Sequence, residues 1–285
     1  MNLGDKASAA RKGLLTVLGR AMGATVVVHL HAAKLVQTYN QAGPVVRWMI
    51  TLPFRVASTN IVLGEVWRRW LIDELGVAPG KVDILANGVP SAPYAPRDHL
   101  SPRTPVRLLF LGNLMERKGV TDLIEALALL PADLPDWSLT LAGGGEIERY
   151  RGLAAARGLT ERVVGWVGSA QALALLGVVD AMVLPSYDEG LPLVILEALG
   201  AGTPVVCTPV GAIPEFLQDG ETALFVAPGD QPGLAAALGR VIAEPALRQH
   251  LGDTGRSSYQ RTFSLEAFQS ALFDIYRRQV GIDVV

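Results

Sequence analysis

A chain of 285 residues, 50% of them hydrophobic and 18% charged, can bury one large core or two moderate ones, which excludes an intrinsically disordered protein. Its single cysteine, Cys207, excludes an intrachain disulfide, and the longest apolar runs, 13–30 and 190–207, are broken by Arg20 and Glu197, so neither spans a membrane. The net charge of −2 conceals an asymmetry: residues 1–104 hold 12 Lys plus Arg against 6 Asp plus Glu, or +6, and residues 105–285 hold 13 against 21, or −8. The basic first part suits an anionic partner such as a membrane surface or a phosphorylated lipid, or else is merely uneven charge. No nucleic-acid partner is expected. Residues 1–12 are small, polar and charged, unlike a secretion signal, so a reducing cytoplasm is the expected location, with peripheral contact at the inner face of the membrane.

In chain order, the first hundred residues predict a helix at 7–22, a strand at 25–30, a helix interrupted by Pro53, a strand at 60–63, a helix at 65–75 and a strand at 82–85. The stretch VVVHLHAAK puts His29 and His31 on one face at the end of the first strand. They suit a general base, a sugar ligand or a metal ligand as well as an ordinary structural role; two histidines without a third ligand argue little for metal. Trp67-Arg68-Arg69-Trp70 reads as amphipathic packing, with membrane contact the alternative. Residues 86–105, with five prolines and the Asn87-Gly88 turn signal, read as a linker.

From Val106 onward short β-branched runs alternate with helices. Strands are predicted at 106–111, 137–142, 163–167, 181–184, 204–207 and 223–226, and helices at 118–130, 146–157, 170–177, 191–200 and 212–218. This alternation predicts an α/β fold whose second part is a doubly wound parallel sheet of about six strands, with its ligand beyond the carboxyl ends. Helices at 231–242, 245–251 and 264–279 follow.

The chemistry-bearing stretches each follow a strand. Gly112-Asn113-Leu114-Met115-Glu116-Arg117-Lys118-Gly119 opens a helix with two adjacent cations, which the helix dipole disfavours at that end. Arg117 and Lys118 therefore either offset the developing charge of a diphosphate leaving group or are solvated surface residues. Gly143-Gly144-Gly145 lets a backbone approach a ligand but does not fit the dinucleotide fingerprint, which disfavours a nucleotide-dependent oxidoreductase. Residues 185–207, PSYDEGLPLVILEALGAGTPVVC, place Glu189 just ahead of a helix that begins at Pro192, and Glu197 inside it. The amides at Gly190, Leu191, Pro192 and Leu193, with the positive end of the helix dipole, make an anion site. A carboxylate before such a site suits a hydroxylated group attached to the anion, and Glu197, about 7 Å further on, suits a second one. A sugar, phosphates and a ribose fit that layout; a surface turn residue and a local cap are the alternative.

Together, VVVHLHA, the NGV at 87–89, FLGNLMERKG at 110–119, LAGGGE at 141–146 and the acid pair of EGLPLVILEA, continuing into GAGTPVV and VGAIPE, resemble the retaining family-four glycosyltransferases. The resemblance implies two Rossmann-like domains facing a cleft: 1–100 on the acceptor side, 101–263 for the nucleotide sugar, and a C-terminal helix within 264–285 packing back on the first. It implies catalytic roles for His31, Lys118 and Glu189, with Glu189 on the transferred sugar, Lys118 on the diphosphate and His31 by the reaction centre. Glu197 would hold the donor ribose; Gly112, Asn113 and Arg117 would line the diphosphate loop, and residues 190–193 would face phosphate or sugar. The implied reaction moves a sugar from a nucleoside diphosphate sugar to an acceptor hydroxyl with retention, without metal or cofactor. The acceptor is not named by the sequence; a lipid-linked or anionic one agrees with the basic first part. Two departures stand out: the family's usual Arg is Asn113 here, leaving Arg117 as the candidate to compensate, and the strand, glycine-rich loop and βα units that open the family's first domain do not precede Met1. The chain is thus expected to begin late in that domain, which keeps a donor-binding remnant without transfer as the rival function.

Overall fold

The computed structural model describes residues 6–31, 33–90, 98–101, 104–159, 161–164 and 169–280. The chain divides into two compact units, residues 1–88 with 266–285, and residues 89–265.

In the first unit α1 (Lys6–Ala21) leads into β1 (Val27–Leu30), α2 (Ala33–Gln41), α3 (Pro44–Val56), β2 (Thr59–Val62), α4 (Glu65–Arg69) and β3 (Val82–Ile84). The strands form a parallel sheet in the order β1-β2-β3, with Val27 opposite Thr59 and Asn60 opposite Val82. Three strands are the minimum for independent stability and need an apolar face packed against helices. The C-terminal helix, Leu265–Val280, supplies such packing: Ile275 joins Ile61 and Leu85 in the core, with Phe268, Leu272 and Tyr276 against them. Arg278 adds an ion pair to Asp83 at 2.7 Å. Gly88 is where chain meets helix, since a Cβ there would overlap Phe268.

The structure corrects two predictions in this unit. Pro53 lies inside α3 and does not interrupt it; the break between α2 and α3 falls at Gly43-Pro44, where proline suits the first turn. Proline loses only its own N–H bond, and its carbonyl still accepts the Ala57 N–H at 3.0 Å. The helix at 65–75 is α4 followed by a π-helical turn, Trp70–Glu74. Trp67 is buried while Arg68 and Arg69 reach back to Glu65 at 3.1 and 3.5 Å, as amphipathic packing requires. α1 and α3 pack together and leave Leu14, Leu18, Val45, Trp48 and Met49 exposed.

The second unit runs β4 (Val106–Leu111), α5 (Val120–Ala128), β5 (Trp137–Ala142), α6 (Ile147–Ala156), β6 (Glu161–Val164), α7 (Ser169–Leu176), β7 (Ala181–Leu184), α8 (Leu193–Gly200), β8 (Val205–Cys207), α9 (Ile213–Phe216), β9 (Leu224–Phe225), α10 (Gln231–Ala243) and α11 (Pro245–Ser258). All six strands are parallel, in the order β6-β5-β4-β7-β8-β9. β7 and β8 are wholly buried and β4 nearly so, which is why they read as continuous apolar runs. The chain winds outward from β4 to β6, then crosses to β7 on the other side, so the switch point lies between β4 and β7. Buried Asp180 fastens the amino ends of these two strands: its carboxylate accepts the Arg107 N–H at 2.8 Å and its own N–H donates to the Arg107 carbonyl at 2.7 Å.

Residues 89, 90 and 98–101, placed in a linker by composition, pack within this unit. The Val89 N–H donates to the Phe263 carbonyl at 2.9 Å, and buried His99 lies 2.9 Å from the Gly202 carbonyl. Residues 91–97, 102–103 and 165–167, the last predicted as part of a strand, lie outside the described residues. α11 continues to Ser258, past the predicted end at 251, because Gly252 and Gly255 are packing surfaces there: a Cβ on either would press on Gly202 or Leu199.

Candidate active site

Four strand ends build the site, and the backbone ties them together. The Leu114 N–H donates to the Gly144 carbonyl at 2.6 Å and the Glu146 N–H returns to the Leu114 carbonyl at 2.8 Å. The triple glycine after β5 is thus a seam along the loop after β4. Gly119 takes φ +68° where a Cβ would overlap the Pro185 carbonyl, so only glycine lets the loop after β4 lie against the loop after β7. Gly211, at φ +61°, does the same for the loop after β8 against the Glu189 carbonyl, and the Ala212 N–H binds the Gly190 carbonyl at 2.9 Å.

Within this frame Lys118 Nζ lies 2.5 Å from Glu189 Oε1. Only 16% of the lysine side chain and 9% of the glutamate are exposed, so this is a nearly dry ion pair at the switch point. The two cations predicted to open a helix instead occupy a 3₁₀ turn, Glu116–Lys118, and α5 begins at Val120, because Gly119 reverses the chain between them. Arg117 is directed elsewhere: its Nη1 donates to the Asp188 carbonyl at 2.7 Å, while its own carbonyl accepts the Tyr187 N–H at 2.9 Å. Asn113 is exposed in the loop after Gly112.

α8 starts at Leu193 with Pro192 as its N-cap. Proline has no N–H, so the predicted row of amides at 190–193 is reduced to those of Gly190, Leu191 and Leu193. Leu191 is buried and Leu193 exposed. Glu197, one turn into α8, is half-buried, and burial raises its carboxyl above the usual 4.5. No ion pair engages it among the described residues. A lysine poised for an anion and two carboxylates able to accept from hydroxyls thus stand at one sheet edge.

His31 belongs to the first unit, just past β1. Its ring centroid lies 4.0 Å from that of His29, tilted 37°. Burial lowers the pKa of both, that of His29 to about 3 with the His31 charge adding to the effect; a hydrogen bond with Asn87 acts the other way on His31. The sequence marked Asn87 as a turn signal and as part of the NGV at 87–89, but not as a partner of His31, since nothing in local spacing announces a contact 56 positions away. It gave no sign of a second arrangement either: Tyr187 donates its hydroxyl to Asp122 Oδ2 at 2.8 Å, and Gln231 donates to Oδ1 at 2.9 Å. An acid in the first turn of a helix reads as ordinary. Among the described residues no cluster of three metal-ligating side chains occurs, and no helix is long and apolar enough to cross a membrane.

A family model described as "Glycosyl transferases group 1" matches residues 93–258. The chain is 36% identical over 247 residues to a glycogen synthase of Mycobacterium tuberculosis; the match covers 83% of this chain and 57% of that protein, so the chain spans little more than half of that relative's length. Among solved structures, a sucrose-phosphate synthase from Thermosynechococcus elongatus superimposes with a TM-score of 0.78 at 24% identity, covering 94% of this chain and 72% of that one. Anabaena HepE in complex with UDP and glucose gives 0.79 at 19%, covering 95% and 76%. At these identities the likeness establishes the two-unit α/β fold.

Proposed function

The chain belongs to the group 1 glycosyl transferases, and from that premise we propose that it moves a sugar from a nucleoside diphosphate sugar to an acceptor hydroxyl with retention of configuration. The observation that carries this is the Lys118–Glu189 pair at the switch point of the second sheet, with half-buried Glu197 following on α8. Lys118 is suited to stabilise the diphosphate as the glycosidic bond breaks. Glu189 accepts from hydroxyls of the transferred sugar and Glu197 from those of the ribose. The likeness to HepE, solved with UDP and glucose, agrees with a donor of this class. For His31, on the first unit, the proposed role is contact with a sugar hydroxyl, which a largely neutral imidazole would accept from or donate to. Front-face displacement, with the departing diphosphate taking the acceptor proton, requires no further base.

An anionic lipid surface or lipid-linked acceptor is favoured by α1 and α3: neither contains Asp or Glu, and exposed Leu14, Leu18, Trp48 and Met49 alternate with Arg11 and Arg47. The test of the function is release of free nucleoside diphosphate from a panel of nucleotide sugars, with and without acceptor. Acceptor-dependent release with an α-linked product from an α-linked donor supports the proposal. Donor binding without release would assign the chain as a donor-binding protein instead.

A further inference from the structure

The Lys118–Glu189 pair brings together two segments, 116–122 and 185–190, that the same interface joins at a second point. Tyr187 lies two residues before Glu189, and Asp122 four residues after Lys118. Asp122 is buried, and both of its carboxylate oxygens are taken by uncharged donors: the Tyr187 hydroxyl at 2.8 Å and the Gln231 amide at 2.9 Å. Dry carboxylates are ordinarily matched with cations, since desolvation is otherwise poorly compensated. This one instead accepts from the loop after β7 and from the first residue of α10, so one side chain on α5 fixes the position of two other elements. Tyr187 is 45% exposed, so apolar burial alone does not hold it; its hydroxyl and its backbone N–H, donated to the Arg117 carbonyl at 2.9 Å, do.

We infer that Tyr187 is a positioning residue, anchored through Asp122, that holds the Asp188-Glu189-Gly190 turn in register with Lys118 as the donor's diphosphate and sugar displace the contact between Lys118 and Glu189. The need is geometric. When a ligand takes Lys118, the loop after β7 loses a tie to the loop after β4, and the Tyr187–Asp122 bond keeps the two in place. The inference rests on the donor-site assignment above, and its test separates the two.

The full chain and its Tyr187→Phe and Asp122→Asn variants are compared in two measurements. Calorimetric titration with inorganic pyrophosphate, a probe that needs no knowledge of base or sugar, reads the site; hydrogen exchange of the amides at 188–191 reads the turn. Tyr187→Phe removes one oxygen and is expected to weaken pyrophosphate about tenfold and to speed exchange of the turn about tenfold, with the melting temperature and the exchange of the α8 amides unchanged. Asp122→Asn still accepts from Tyr187, with Gln231 turned to accept from the new amide, and is expected to keep both readouts within about twofold of the parent. Equal affinity and equal exchange in Tyr187→Phe, or losses that follow a general fall in melting temperature, overturn the inference. If the parent chain takes no pyrophosphate, the donor-site assignment fails, and the exchange of the turn alone decides: faster in Tyr187→Phe sustains the anchor, unchanged refutes it.

Discussion

Replacing Lys118 by Ala tests the site at its most demanding point. The substitution leaves the Glu189 carboxylate, 9% exposed, with no cation at 2.5 Å. Removing one partner of a buried ion pair destabilises by about 3–5 kcal/mol, and the 16% exposure of the lysine places this pair near the lower figure. At about 2–4 °C per kcal/mol for a unit of 150–250 residues, the melting temperature should fall by about 6–12 °C. Glu189→Ala should be milder, because an orphaned ammonium on a flexible stem can turn toward water. The double variant should be more stable than Lys118→Ala alone, since it removes the unpaired charge, giving a coupling energy of about 2 kcal/mol or more. In transfer, kcat of Lys118→Ala should drop by about 10² or more, as other lost electrostatic stabilisers of a leaving group do. The assays are denaturant unfolding of the four members of the cycle and nucleoside diphosphate release. An additive cycle, with no coupling between the two sites, would refute the buried pair and with it the assignment of Lys118.

Three further outcomes are expected. Glu197→Ala should raise the donor KM with little change in kcat, as uniform binding does; because burial raises this carboxyl above 4.5, parent affinity should climb as pH rises through the shifted value, a climb that Glu197→Gln should lack. His29 has a folded pKa of about 3 against 6.5 unfolded, so between these values only the unfolded state binds the proton and stability falls as pH falls. Unfolding at pH 7 and pH 5 should show this at no more than about 1.4 kcal/mol per pH unit, reduced by the ring's partial exposure, and His29→Phe should flatten the dependence. Vesicles of phosphatidylglycerol should sediment with the chain and release it in high salt, whereas Trp48→Glu with Leu18→Glu should abolish the association; equal association of the parent with neutral vesicles would count against an anionic surface.

Where the apolar period decides a strand, the sequence was sufficient: Val106–Leu111 and Ala181–Leu184 fall at the predicted residues as nearly continuous buried runs, and Trp137–Ala142 does so through its buried Leu139 and Leu141 alternating with half-buried Ser138 and Thr140. It misled where a local signal meets a tertiary demand. The helix predicted to end at 251 runs on through Gly252 and Gly255, which are contact surfaces, and Pro53 reads as a break yet sits where a helix can do without one N–H. At the candidate site, Lys118 and Glu189 stood out because each follows a strand, and Glu197 because it is a carboxylate inside an otherwise apolar helix. That Lys118 and Glu189 pair with each other, that Arg117 turns to Asp188, and that Asp122 holds Tyr187 were not, because each contact joins segments 65 to 71 positions apart.

The C-terminal helix that completes the three-stranded sheet has a consequence for the order in which the chain becomes a protein. Residues 89–265 form a unit from one uninterrupted stretch and can fold as they leave the ribosome, whereas Ile61 and Leu85 receive Ile275 only when the helix Leu265–Val280 emerges. At about 5–20 residues per second, that interval lasts roughly 10–35 s after Gly88 has been made. Throughout it the segment from β1 to β3 presents an unfinished core. Its maturation is therefore timed by the synthesis of Leu265–Val280 rather than by its own, and removal of that helix should strand it in that state.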